Sequence, residues 1–170
     1  RSRRRETLMA ALNINNVSVA VNTAERWLDI AKKDAEALTE ERDAAEKEAM
    51  LRSIGLAPGE AIPPNLKADI RQLEESQKRR ATRSLRDGLD RILVDLLSLY
   101  RDVMTIQLGT NSALINAELE PQIRVAAQAS TEPQTIQKIE AINLARKRID
   151  SNVRDLVALE ALAVSLRIKK

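Results

Sequence analysis

The side chains that most often carry chemistry are scarce in this sequence. It contains no histidine and no cysteine. That removes the commonest general base, the commonest zinc ligand, thiol nucleophiles, thiolate metal sites and disulfides. Carboxylate pairs at helical spacing, Asp87/Asp90 and Glu118/Glu120, are the remaining candidates for acid–base or metal work. No apolar pocket beside them would raise a pKa, so they read as exposed helix charge. No G-x-x-x-x-G-K-[ST] run and no glycine-rich loop after a strand occurs, so no ATP site can be built and no cofactor is expected.

Two constellations suit binding better than catalysis. Lys78, Arg79, Arg80, Arg83, Arg86 and Arg91 set six cations against two anions, Asp87 and Asp90. The steps 79/83/86 and 80/83 place several arginines on neighbouring faces of a helix, a surface for an acidic partner or for DNA phosphates. No aromatics interleave, so stacking on single strands is not expected. The plainer reading is a solvated face, partly neutralised by the acidic 40–48 segment across a hairpin. Tyr100 and Arg101 are the second candidate, since aromatic and arginine side chains dominate interface hot spots. The plainer reading of Tyr100 is a core residue with a bonded hydroxyl, in one layer with Trp27. A second basic cluster, Arg1, Arg3, Arg4 and Arg5, reads as a solvated helix end.

The positioning element is 85–104, LRDGLDRILVDLLSLYRDVM. Leu85, Leu89, Ile92, Leu93, Leu96, Leu99, Tyr100, Val103 and Met104 recur in steps of three and four, a helical stripe. Its charged residues, Asp102 among them, are expected mostly on the other face, with Arg86/Asp90 and Arg91/Asp95 as i,i+4 pairs. A stripe this wide needs several partner helices.

Upstream, Leu8, Met9 and Leu12 suggest a short helix, and Asn16 or Ser18 can cap the next. Val17, Val21, Ala24, Trp27, Leu28, Ala31, Ala35 and Leu38 form its stripe, which thins into the charged TEERDAAEKEA. GLAPGEAIPP, 55–64, cannot continue a helix and is the one clear linker. A second helix then runs from 65 to 108, about 44 residues or roughly 66 Å at 1.5 Å per residue. The short loop makes the two antiparallel, folded about residue 60. Residues 39–84 carry only a narrow seam of Leu66, Ile70, Leu73, Gln77 and Ala81 facing alanines, the pattern of a coiled-coil arm.

Downstream, Gly109 and Asn111 end the long helix, and Ser112 is expected to cap a short one over 113–119. Pro121 starts the next, over 122–129. Thr131 caps a helix with the stripe Ile136, Ile139, Ile142, Ala145 and Ile149. Asp150, Ser151 and Asn152 mark a turn and cap. The last helix is expected from Val153 to about Ile168, burying Val153, Leu156, Leu159, Leu162, Ala163 and Leu166, with Lys169 and Lys170 complementing its dipole.

The 170 residues are 44% hydrophobic and 31% charged, with Trp27 and Tyr100 as the sole aromatics. The fold class is therefore all-α, a helical bundle of Leu, Ile, Val and Ala with one long antiparallel hairpin. Net charge is +3, too balanced to imply nucleic acid by itself. The longest mainly apolar run, 156–166, is too short to span a bilayer, and no secretory signal is visible, so a cytoplasmic location is the default. The chain starts at Arg1, which reads as a piece of a longer protein.

Arg86-Asp87, Leu89-Asp90, Leu93, Asp95-Leu96 and Tyr100-Arg101-Asp102-Val103-Met104 resemble the central collar helix of the delta-prime subunits of bacterial DNA polymerase III clamp loaders. Gln77-Lys78-Arg79-Arg80-Ala81-Thr82-Arg83 is similar to the version in high-GC Gram-positive bacteria. Leu114-Ile115-Asn116-Ala117, and Asn152-Val153 with Leu159-Glu160-Ala161-Leu162 and Leu166, extend the likeness over most of 3–167. The resemblance implies one non-enzymatic collar domain over 1–170, without its nucleotide-binding module. Within it, 1–15 would follow an upstream lid, 39–84 would be the arm and 85–170 the bundle base. It implies assembly with the delta and tau/gamma subunits to load the sliding clamp, with DNA met only through the complex and no membrane contact. From the residues alone, a helical nucleic-acid-binding or regulatory module using the basic face 78–91 remains the alternative.

Overall fold

Asn16 begins the long hairpin by accepting a hydrogen bond at its Oδ1 from the Val19 N–H, at 2.9 Å. That N-cap satisfies one of the orphan donors of the first turn. The computed structural model describes residues 2–57 and 59–168. Among them are α1 (Ser2–Leu12), α2 (Val17–Ser53), α3 (Lys67–Gln107), a 3-10 turn (Ala117–Leu119), α4 (Glu120–Gln128), α5 (Glu132–Asp150) and α6 (Asp155–Ser165), and no strand. The fold is an all-α helical bundle. The expectation for Lys169 and Lys170 lies outside the described residues.

The chain divides into two units, one of residues up to Ile30 and from Leu89 onward, the other Ala31–Gly88. In the first unit the core holds Leu8 and Ile14, Ala24 and Trp27, Leu89, Leu93, Leu96 and Leu99, then Ile123, Ile142, Leu159 and Leu162, all essentially inaccessible. Trp27 donates its indole N–H to the Thr7 carbonyl at 3.4 Å, which ties α2 to α1. A further tie joins the ends of the unit, where the Ile168 N–H donates to the Ile14 carbonyl at 2.9 Å.

The second unit is a thin antiparallel hairpin. Its buried apolar side chains, among the described residues, are Ala31, Ala35 and Ile70. Leu66, Leu73, Gln77 and Ala81 are half-buried, as a narrow seam requires. Lys47 meets Glu74 at 3.1 Å, and Gln77 Nε2 donates to the Asp43 carbonyl at 2.9 Å. Both ties fit a register folded about residue 60. Leu38, expected on the stripe, is 63% exposed, because the inward line runs in steps of four through Ala31, Ala35 and half-buried Thr39 and leaves it to one side.

Helix ends follow local chemistry. Gly109, at φ +64, closes α3 in a Schellman arrangement, with Thr110 N donating to Thr105 O and Gly109 N to Ile106 O. Asn152, at φ +61, does the same for α5, with Val153 N bonded to Arg148 O and Asn152 N to Ile149 O. Asn152 thus ends a helix and does not start one; the N-cap of α6 is Arg154, and Val153 is 36% exposed. Thr131 and Gln134 form a reciprocal capping box on α5.

Two further expectations are corrected. On α5 the buried residues are Thr135, Ile142, Ala145 and Ile149, while Ile136 is 48% exposed. Thr135 goes inside because Gln107, at the end of α3, offers it a partner: Thr135 Oγ1 donates to Gln107 Oε1 at 2.8 Å. No helix spans 113–119 either. Only the 3-10 turn forms there, because a buried carboxylate takes the N–H groups of Ile115 and Asn116.

Candidate functional site

That carboxylate belongs to Asp102, which α3 carries inward beside Leu99 and Val103 instead of outward with Arg101. It is fully buried. It accepts from Ile115 N at 2.9 Å, Asn116 N at 2.7 Å and Asn116 Nδ2 at 2.9 Å. Asn116, equally buried, presents its Oδ1 to Arg4 Nη2 at 2.5 Å. Arg4 Nε donates to Asp95 Oδ1 at 2.9 Å. One polar chain therefore runs from α1 through the 115–116 segment to α3. Buried polar groups of this kind rigidify a structure when every member has a partner. The sequence signal for it was present but subtle: Asp102 lies three residues after the inaccessible Leu99 and six after Leu96, on the buried side of the helix.

The carboxylates expected to pair within α3 are met from other helices. Asp90 receives Arg146 of α5 through Nε at 2.7 Å and Nη2 at 3.2 Å, a two-pronged contact. Asp95 receives Arg4. Among the described residues, no group of three or more His, Cys, Asp or Glu is placed to hold a metal ion.

The seven candidate interface residues are shared between the two units. Lys78, Arg79, Arg80, Arg83 and Arg86 belong to the hairpin unit, Tyr100 and Arg101 to the other. Lys78, Arg79 and Arg83 are exposed. Arg79 stands 4.0 Å from Glu75. Arg80 is half-buried and committed within the hairpin, donating from Nη1 to Glu46 Oε1 at 2.7 Å and lying 3.4 Å from Asp43. Its guanidinium holds the Glu46 carboxyl down at about 2, against a usual 4.5, mainly by that side-chain hydrogen bond. Arg86 is half-buried and also engaged within the protein.

Tyr100 and Arg101 diverge, as neighbours on a helix must. Arg101 is exposed, whereas Tyr100 is 2% exposed. Burial pushes the Tyr100 hydroxyl well above the ordinary phenol range. The ring lines a cleft and carries Lys138 Nζ 5.6 Å from its centroid. Sequence reasoning missed this lysine, because no spacing rule links α5 to α3.

These features define an all-α protein whose described ion pairs and buried polar groups chiefly join its own helices. Among the described residues no helix is long and apolar enough to cross a membrane. In sequence, the chain is similar to DNA polymerase III subunit delta' of Bacillus subtilis (strain 168). The two are 36% identical over 80 residues, a stretch that covers 47% of this chain and 23% of that protein. The chain thus matches less than a quarter of the length of that curated relative. No protein-family profile matches the chain, and no solved structure does.

Proposed function

We propose that this chain is the collar region, C-terminal in the subunit, of a DNA polymerase III delta-prime subunit of the high-GC Gram-positive type. In this reading its work is structural. It joins the delta and tau/gamma subunits in the cytoplasmic assembly that loads the sliding clamp, and catalysis belongs to other domains. The observation that carries the proposal is the 36% identity over 80 residues to a subunit of that polymerase. The all-helical fold, with polar chemistry spent on joining helices, agrees with it. Residues 1–15 would then follow an upstream lid, 39–84 form a helical arm and 85–170 the bundle base.

The interface residues offered to partners are Lys78, Arg79, Arg83 and Arg101, the exposed members of the candidate set. Arg80 and Arg86 would support the surface from within. The test is co-purification of the chain with delta and tau/gamma subunits, repeated with Lys78, Arg79 and Arg83 reversed to glutamate. The proposal expects association in the first case and weakened association in the second. No association, together with salt-sensitive DNA binding by the chain alone, would replace it with a nucleic-acid-binding module using the basic face 78–91.

A further inference from the structure

The first unit contains a cleft of about 230 Å³ walled by α1, α3, α4, α5 and the segment after α6. Three features of its lining are unusual together. Val103 and Val125 give it an apolar wall, and Val125 on α4 is 66% exposed. Lys138 stands against the Tyr100 ring, while no Asp or Glu lines the cleft among the described residues. Arg167 adds a second cation to the lining. Gln122 Oε1 is buried and, among the described residues, has no hydrogen-bond donor within reach.

Each feature asks for a particular chemical group. A half-buried ammonium standing against a ring face is stabilised by an anion. Burial pulls the Lys138 ammonium below the usual lysine range. The Gln122 oxygen, closed to solvent and without a donor, costs free energy until its half-buried side chain turns toward an N–H in the cleft. An exposed valine wall gains from covering by an aliphatic side chain. A peptide supplies all three groups within a few residues: a main-chain N–H, an aliphatic side chain and a carboxylate. A fatty acid lacks the N–H, and a nucleic acid lacks the aliphatic side chain.

We propose that this cleft receives a short acidic, aliphatic peptide segment of a partner protein, its carboxylate at Lys138 and its main-chain N–H at Gln122. The inference stands apart from the clamp-loader reading, because any partner with this chemistry would satisfy it.

The test is selection of a random dodecapeptide phage library on the 170-residue chain, followed by titration of synthetic copies of the enriched peptides by NMR. Enriched sequences should pair Asp or Glu with Leu, Ile, Val or Met. Replacing the acid by its amide should weaken binding at least about tenfold, the loss of one charge-assisted contact. Lys138→Met should weaken it similarly while raising the melting temperature, since that variant no longer buries an ammonium. Lost binding then cannot be lost folding. The proposal fails if the library enriches nothing, if enriched peptides lack acids, or if the acid-to-amide change has no effect. It also fails if decanoate fills the cleft, by chemical shifts at Tyr100 and Gln122, while no peptide does.

Discussion

Replacing Asp102 tests whether one carboxylate organises the turn between α3 and α4. It is inaccessible and accepts three hydrogen bonds, from the backbone of Ile115 and Asn116 and the side chain of Asn116. Asp102→Ala takes the acceptor from all three donors, and each donor left buried without a partner costs about 1–3 kcal/mol. Asn116 Nδ2 keeps Ser98 Oγ at 3.2 Å and Ile115 is exposed, so the expected loss is about 2–4 kcal/mol. Asp102→Asn keeps the shape and one acceptor. If its oxygen takes the Oδ2 position, both Asn116 bonds survive and the new NH2 faces the Ile115 N–H. One bond is lost and two donors meet, for about 1–3 kcal/mol. Urea unfolding followed by Trp27 fluorescence reads this directly, because Trp27 is the sole tryptophan and lies in the same unit. A loss below about 1 kcal/mol for the alanine variant, close to that of ordinary surface changes, would refute the reasoning. So would a larger loss for asparagine than for alanine.

Other outcomes follow from the same packing. Leu93→Ala or Leu96→Ala, both at inaccessible positions, should cost about 2–5 kcal/mol in urea unfolding. Leu73→Ala, on the half-buried seam, should cost clearly less; equal losses would mean the seam is a full core. Gly88→Ala should raise stability by about 0.5–1 kcal/mol through helix propensity. Its new Cβ would meet Ala31 at an ordinary 3.7 Å, and a fall in melting temperature would overturn this. Glu46, held at about 2 by Arg80, binds its proton less tightly folded than unfolded. Its contribution is therefore present above pH 4.5 and lost as pH falls toward 2. The urea midpoint of Glu46→Gln should lack that part of the acid decline, and identical pH profiles would contradict it.

Helix identity was legible in the sequence wherever periodicity ran long. The expected 65–108 helix is observed as Lys67–Gln107, and 17–54 as Val17–Ser53, because glycines and a linker rich in Gly and Pro punctuate them. The cap at Asn16 was equally plain. What periodicity could not supply was the choice between polar partners. Thr135 displaces Ile136 from the buried side of α5 only because Gln107 waits across the bundle. Asp102 points inward only because Ile115 and Asn116 bring donors to it. The candidate binding residues fared unevenly: neutralisation by the 40–48 segment was visible and is met where Arg80 reaches Glu46 and Asp43, but not that Lys138 stands over Tyr100. Such pairings join residues far apart in sequence, and local spacing carries no record of them.

The polar chain that begins at Arg4 also sets an order of events in synthesis. Its partners Asp95, Ser98 and Asn116 lie 91, 94 and 112 residues further along. At about 5–20 residues per second, α1 leaves the ribosome roughly 5–20 seconds before its anchors exist. During that interval Leu8 and Ala11, inaccessible in the finished protein, are exposed on a short helix too brief to persist in water. α1 is thus made well before the partners of Arg4 and is fully secured only when they arrive. Its apolar face is the natural client for a chaperone while the rest of the chain is completed.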